Sequence, residues 1–202
     1  MAALITDPIL PQRFEIVRDR IAEILAVELQ NQIAMQYLTE FDDLKVYLER
    51  HVNIDHSELP IVNVTLATSD FDNMKPLDLN GNYFYNVDCY CKAEADEDSD
   101  IGDDTAAFRL HRLLGLCRAI IMSPHYKMLG FEPGTTISRI EITSMPVIQM
   151  QSDDANNILR GTLQVKVVAP EVVSPQPTRL STGHTTKLNL GEGEGYKYEY
   201  NE

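Results

Sequence analysis

The sequence has few cysteines and no long apolar run, and each shortage excludes a class of protein. The three cysteines, Cys89, Cys91 and Cys117, are too few for a disulfide framework and have the wrong spacing for a zinc site. No window approaches the roughly 18 consecutive apolar residues of a membrane-spanning helix. The segment from Met1 to Pro11 has neither a basic stretch nor a long apolar one, so we expect no secretory signal.

Basic residues are also scarce. The chain has 17 lysines and arginines against 31 acidic residues, which gives a net charge of -14. Affinity for nucleic acid comes from lysine and arginine neutralising phosphates, so this charge argues against a surface that grips DNA or RNA. It is compatible with a surface that lets DNA pass without adhering. A surplus of charge that keeps the protein in solution is the simpler interpretation.

Motifs that carry chemistry are missing. The sequence contains no GxSxG, P-loop or GxGxxG motif, and the five histidines never have HxxxH or HExxH spacing. The acidic run from Asp96 to Asp104 lacks the glycine and the glutamate that an EF-hand loop requires at its sixth and twelfth positions. We therefore predict a protein that is not an enzyme, with no catalytic residue, no cofactor and no metal.

The most informative stretch runs from Gly81 to Phe131. It opens with an aromatic strand in which one face carries Tyr83, Tyr85, Val87, Cys89 and Cys91, an alternation typical of a half-buried strand. An amphipathic helix is predicted from Thr105 to Met122, with Asp103 or Asp104 suited to cap its N-terminus. Pro124 is expected to end this helix.

A loop with seven acidic residues and no base joins this strand to the helix. The acids are Glu94, Asp96, Glu97, Asp98, Asp100, Asp103 and Asp104. Charges this dense repel one another, so we expect a solvated loop or a face presented to another molecule. If the protein borders a passage for DNA, this loop is the candidate lining, because carboxylates repel phosphate.

The remaining elements complete one domain. A helix is predicted from Pro11 to about Gln32, with Pro11 in its first turn, and the pattern leaves open whether it continues to Tyr37. Strands are predicted at Leu44–Arg50, Leu59–Ala67, Ser138–Ser144 and Leu159–Val168, the first of them interpreted as a strand rather than a short helix. Residues 69–80 are expected to form a polar connection, and residues 145–157 a loop.

These elements predict an α+β fold: a small antiparallel sheet of two β-hairpins with helices packed on one face, over residues 1–169. The strands, with a period of two, and the central helix, with a period of 3.6, each present one apolar face. The predicted core therefore brings together Val62, Val64, Val87, Cys89, Leu163 and Val165 with Leu110, Leu113, Leu114 and Cys117.

From Pro170 to Glu202 the composition shifts to proline, glycine, serine and threonine, which predicts an extended C-terminal arm. Tyr196, Tyr198 and Tyr200 alternate within it. Two interpretations remain open: the arm adds a strand to the sheet edge of a neighbouring subunit, or it is a disordered tail that carries tyrosines.

Five segments, following an N-terminal helix, carry a resemblance to a known family. They are Leu59–Val64, Tyr83–Asp88, Leu113–Ile120, Leu129–Phe131 and Gly161–Val167. In this order they resemble the tail-terminator and tail-completion proteins of tailed bacteriophages, over roughly Pro8 to Pro170. The long arm departs from the compact members of that family.

The resemblance implies a structural virion protein that forms a ring, usually hexameric, at the head-proximal end of the tail. Such a ring stops polymerisation of the tail tube and joins the tail to the neck or portal complex. Its implied partners are further copies of itself, the tail tube protein and a neck or connector protein. DNA passes through without specific binding, no membrane is involved, and the protein is made in the host cytoplasm.

Two alternatives remain. One is another ring protein of the virion, such as a neck or tube adaptor. The other belongs to a different class: a non-catalytic cytoplasmic subunit or regulatory domain whose partner supplies the chemistry.

Overall fold

A computed structural model of the chain describes residues 8, 10–51, 56–72, 80–92, 102–132, 136–150, 158–170, 186–190 and 193–198. The chain divides into two units, Met1–Glu171 and Val172–Glu202. In chain order, the helices and strands of the first unit are α1 Arg13–Gln36, β1 Lys45–Leu48, β2 Ile61–Asp72, β3 Asn80–Lys92, α2 Gly102–Ile121, β4 Arg139–Ser144, β5 Val147–Met150 and β6 Ile158–Pro170. Three single turns of 3-10 helix lie at Thr39–Phe41, His56–Glu58 and Pro124–Tyr126.

The six strands of the first unit form one mixed sheet in the order β1-β2-β3-β6-β4, with β5 pairing to β6 beside β4. The predicted α+β class is confirmed, and so are both predicted hairpins: β2 pairs with β3, and β4 with β6, in antiparallel register. The predicted first strand is also present. It lies parallel to β2, so the sheet is mixed rather than purely antiparallel.

Two segments predicted to be irregular are partly strands. β2 continues to Asp72 and β3 begins at Asn80, so residues 69–72 and 80 of the predicted connection belong to the hairpin, and residues 73–79 lie outside the described residues. Within the predicted loop at 145–157, residues Val147–Met150 form β5 against β6. In both places pairing with a long neighbouring strand overrides a polar or weakly patterned sequence.

The central strand β3 explains the layered core. Its residues alternate, and those facing the helices, from Tyr83 to Cys91, are at most 1% exposed. All ten residues of the predicted core lie together in one buried cluster. The period of two along the strands and the period of 3.6 along α2 thus meet as the sequence predicts.

Both helix N-termini differ from the prediction. α1 begins at Arg13 after an N-cap at Gln12, whose backbone N–H donates to the Glu15 carboxylate over 2.7 Å, so Pro11 lies before the helix and not in its first turn. α2 begins at Gly102, so Asp103 and Asp104 lie inside the helix and neither is its N-cap.

The C-terminal ends of the helices follow the sequence more closely. α1 runs to Gln36, and Tyr37 takes a left-handed conformation with φ of 55°, which settles the open question on its length. α2 stops at Ile121, three residues before Pro124, which begins the next 3-10 turn.

Polar contacts from α1 hold the strand β3 and the turn that follows α2. The Tyr85 hydroxyl donates to the Phe14 carbonyl over 2.9 Å. Arg20 Nε donates to the Leu129 carbonyl over 2.9 Å, and the Tyr126 hydroxyl donates to the Glu28 carboxylate. The turn needs Gly130, because its φ is +74° and the Arg20 guanidinium would lie 2.8 Å from a Cβ placed there.

The second unit contains a hairpin that the sequence analysis did not predict. Strands β7, Thr186–Leu190, and β8, Gly193–Tyr198, pair in antiparallel register. The predicted start of the arm also shifts, because Pro170 is the last residue of β6 and pairs with Asn80. Among the described residues of the whole chain, no helix is long and apolar enough to cross a membrane.

Candidate functional site

Most of the predicted site residues lie outside the described residues, and the four that are described belong to two elements. Glu94, Asp96, Glu97, Asp98 and Asp100 lie outside the described residues. Asp103 and Asp104 lie in the first turn of α2. Tyr196 and Tyr198 belong to β8, and Tyr200 lies outside the described residues.

The polar surface that the structure does assemble is the sheet face opposite the two α-helices, which we call the open face. The alternation that turns Tyr83, Tyr85 and Val87 towards the helices turns Asp88 and Tyr90 to the open face. β6 contributes Arg160 and Thr162 to it, because these residues pair with Tyr90 and Asp88.

A buried ion pair lies at the centre of the open face. Arg160 Nη2 donates to both oxygens of Asp88 over 3.0 Å, and Arg160 Nε lies 3.3 Å from Oδ1. The Thr162 hydroxyl donates to the same Oδ1 over 2.5 Å. Asp88 is 4% exposed, whereas the Arg160 side chain is 33% exposed, so the carboxylate is buried and the guanidinium covers it from the solvent side.

The charges in this group shift the neighbouring pKa values. Burial opposes the charge of Arg160, but the hydrogen bonds to Asp88 and its negative charge outweigh burial and raise the pKa of the guanidinium. Burial, together with the charge of Asp88, raises the pKa of the Tyr90 hydroxyl, over whose ring the guanidinium lies at 5.7 Å. At neutral pH the Arg160 guanidinium is therefore charged and the Tyr90 phenol beside it is neutral.

A small apolar cluster flanks the ion pair on the same face. Its members are Leu59, Ile61, Tyr90 and Ile158, with Tyr47 packed against them. The Arg50 guanidinium lies 4.5 Å from the centre of the Tyr47 ring and pairs with Glu58. The buried Asn63 side chain accepts from the Arg50 N–H over 3.1 Å and donates to its carbonyl over 2.9 Å, so an amide continues the sheet where β1 has ended.

The cysteines lie inside the core and not at a reactive surface. Cys89 and Cys117 are fully buried, with their sulfur atoms 3.9 Å apart. The hydrogen bond with Cys117 and burial raise the pKa of Cys89, and burial raises the pKa of Cys91 to about 12. Both thiols are protonated at neutral pH, so neither is a nucleophile there.

Among the described residues, concave surfaces also occur away from the ion pair. A polar cavity of about 140 Å³ lies between the turn at Thr39–Phe41, Pro60 and Arg109. A shallow groove of about 550 Å³ separates α1 from α2, with Glu28, Leu116 and Tyr126 in its lining. Within the described part of the chain, no group of three or more histidine, cysteine or acidic side chains is arranged to hold a metal ion.

Sequence reasoning missed the ion pair because its members lie far apart in the chain. Asp88 and Arg160 are each visible as a charge on a predicted strand, but no local pattern sets the register that makes them partners. The alternation of β3 does contain a signal, since it places Asp88 on the face away from the helices. No family model and no curated protein matches the chain.

Proposed function

We propose that this protein is a structural ring protein of a tailed-phage virion, a tail terminator that caps the tail tube and joins the tail to the head or neck complex. The observation that carries the proposal is the assembly of the resembling segments. They supply the neighbouring strands β2, β3 and β6 of the sheet and the helix α2, which packs on the same face of the sheet as α1.

The surface chemistry supports a role in assembly. The described residues offer a fixed ion pair, a small apolar cluster and buried thiols, and none of these is a nucleophile with an adjacent base. Exposed apolar side chains lie instead at the sheet edges and on the outer helix surfaces, among them Phe71, Phe108 and Ile148. Such residues are typical of surfaces that meet another protein.

The net charge of -14 fits the same role. A ring through which DNA passes must not bind phosphate, and an acidic surface repels it. The proposed partners are accordingly other copies of the chain, the tail tube protein and a neck or connector protein, with DNA as cargo that the ring does not bind specifically.

Native mass measurement and electron microscopy of the purified full-length chain test the proposal. We expect closed rings of about six copies that cap tail tubes and stop their growth in a polymerisation assay. Rings that bind neck components but leave tube growth unchanged would identify a neck adaptor instead. A stable monomer at all concentrations would contradict the ring proposal and favour a cytoplasmic subunit or regulatory domain.

A further inference from the structure

The edge strand β5 lacks the usual features that prevent an edge strand from pairing with another molecule. We call Met145–Met150 the β5 edge. From Ile142 to Ser152 the sequence has no charged residue, although 24% of the chain is charged. Met145, Val147 and Ile148 are 45–52% exposed. Natural edge strands are usually protected against pairing by charges, prolines or bulges. A bulge and Pro146 lie just before β5. The strand β5 itself contains no charge, proline or bulge.

Among the strands that the structure describes, none pairs with the outer side of the β5 edge, so its backbone is available for a further strand. The Thr162 N–H donates to the Pro146 carbonyl over 2.9 Å, which fixes the phase of the ladder between β5 and β6. Because bonded pairs alternate in an antiparallel ladder, the backbone groups of Ile148 and Met150 point towards β6. Those of Val147 and Gln149 therefore point outwards.

The opposite edge of the sheet is covered only in part. β1 pairs with Ile61–Val64, and the Glu49 carboxylate accepts the Leu66 N–H over 2.8 Å. Beyond Leu66, no described strand pairs with the outer side of residues 67–72, which we call the β2 edge. Phe71 on this edge is 52% exposed, although its ring meets Tyr83 edge to face.

The strand directions make the two edges complementary. β2 and β6 are both antiparallel to β3, and β5 is antiparallel to β6, so β5 and β2 run in opposite directions. A second copy placed alongside the first in the same orientation therefore brings its β2 edge antiparallel to the β5 edge. Pairing of two different edges is a head-to-tail contact, which closes into rings when the rotation permits.

We propose that the β5 edge of each copy pairs with the β2 edge of the next copy and continues the sheet between subunits. This inference rests on the proposed ring function and names its contact. Backbone hydrogen bonds supply affinity, and the exposed apolar side chains of both edges, Met145, Val147, Ile148 and Phe71, become buried.

The register sets a stagger between neighbouring copies. Val147 pairs with Gly161, Gly161 with Cys89, and Cys89 with Val62. Because the two edges run antiparallel, β5 lies opposite the β2 edge only when Met150 reaches Ala67, which places Val147 opposite Asp70. Asp70 is eight residues beyond Val62, so the next copy is displaced by at least about 27 Å along the strand. In a closed ring such a stagger requires the strands to tilt relative to the ring axis, as in any β-barrel.

Lysine substitutions on each edge test the contact. The double variant Val147→Lys and Ile148→Lys disrupts the apolar contact of the β5 edge. The variant Phe71→Lys disrupts that of the β2 edge. We expect either variant to remain folded and to weaken ring formation by at least about a hundredfold, because lysine in a buried contact is strongly unfavourable. Val27→Lys, on an α1 side chain that is 56% exposed, is the matched control and should leave rings intact.

Mixing the two edge variants gives the decisive measurement. Each variant keeps one intact edge, so a 1:1 mixture should form heterodimers that contain one copy of each and do not grow further. Amide hydrogens of Val147 and Gln149 should exchange slowly in wild-type rings and rapidly in the Phe71→Lys monomer. Persistent rings in either variant, or an unpaired mixture, would overturn the edge contact and leave the ring function standing. A monomeric wild-type protein would instead refute the ring function itself.

Discussion

Leu114 fills the space that a side chain at position 161 would need. A Cβ placed on Gly161 would lie 2.5 Å from Leu114 Cδ1 and 3.2 Å from its Cγ. This contact joins α2 to β6 at the level of Cys89, in the middle of the sheet. The absence of a side chain on one strand thus lets the helix approach the sheet closely.

Substitutions at this contact are expected to be strongly coupled. Leu114→Ala should lower the free energy of unfolding by about 2–5 kcal/mol, and Gly161→Ala by about 1–3 kcal/mol through overpacking. Combined, they should cost less than their sum, because the first change vacates the space that the second fills. Urea unfolding measures all three, and Gly115→Ala, with no atom within 4 Å of the new Cβ, serves as the control. A loss below about 0.5 kcal/mol for Leu114→Ala would contradict its buried position.

The Arg160→Met variant tests the buried ion pair. It leaves the Asp88 carboxylate with Thr162 but without its cation, so we expect a loss of about 1–3 kcal/mol in the free energy of unfolding. Adding Asp88→Asn should recover part of this loss, since a neutral amide is less costly to bury than a lone charge. Arg139→Met, on a side chain that is 62% exposed, should change stability by less than about 0.5 kcal/mol. Equal effects of the two arginine substitutions would show that the ion pair contributes nothing specific.

Alkaline pH should destabilise the protein through Cys91. Its pKa is raised from 9.0 to about 12 in the folded state by burial, so between these values the unfolded chain loses the thiol proton while the folded chain retains it. The stabilising contribution is complete below pH 9 and declines as the pH rises towards 12, by roughly 4 kcal/mol at most. Thermal unfolding from pH 7 to 11 measures the decline, and Cys91→Ala should make it shallower. An identical slope in the variant would locate the alkaline sensitivity elsewhere.

Removal of residues 172–202 tests the role of the arm. The cut falls between the two units, after β6 has ended, so the thermal midpoint of the first unit should be nearly unchanged. If Tyr196, Tyr198 and Tyr200 pack on a neighbouring subunit, ring formation or joining of the tail should weaken. Failure of the truncated chain to fold would show that the arm belongs to the domain.

Reversing charge in the acidic segment tests its relation to DNA. Replacing Asp96, Glu97, Asp98 and Asp100 with lysine should leave folding intact but slow the passage of DNA in assembled particles, since lysines attract phosphate. Asparagine and glutamine at the same positions should have a milder effect, because they remove repulsion without adding attraction. Normal DNA passage in the lysine variant would mean that the segment is only a solvated surface.

The sequence predicts the core well because periodicity is a local property. Val87 and Cys89 alternate with polar residues, and Leu110, Leu113 and Leu114 recur at helical spacing, so their common burial follows from pattern alone. The strand at Val147–Met150 was missed because Pro146 and the uncharged polar residues around it are typical of a loop. Its extended form depends on β6, which no short window shows.

The candidate surface was less predictable than the core. The ion pair of Asp88 and Arg160 requires a register between strands that are far apart in the chain, and the role of Gly161 requires knowledge of what packs above it. A glycine in a strand pattern does indicate close approach by another group, but it does not identify that group.

The pairing of β3 with β6 also determines when the fold can be completed on the ribosome. Partners in this ladder are separated by 66 residues at Lys92 and Ile158 and by 90 residues at Asn80 and Pro170. At synthesis rates of about 5–20 residues per second, the central strand waits several seconds for its second neighbour. During that interval the backbone groups on the outer edge of β3 lack their partner strand, and the last step of folding comes after nearly the whole first unit has been made.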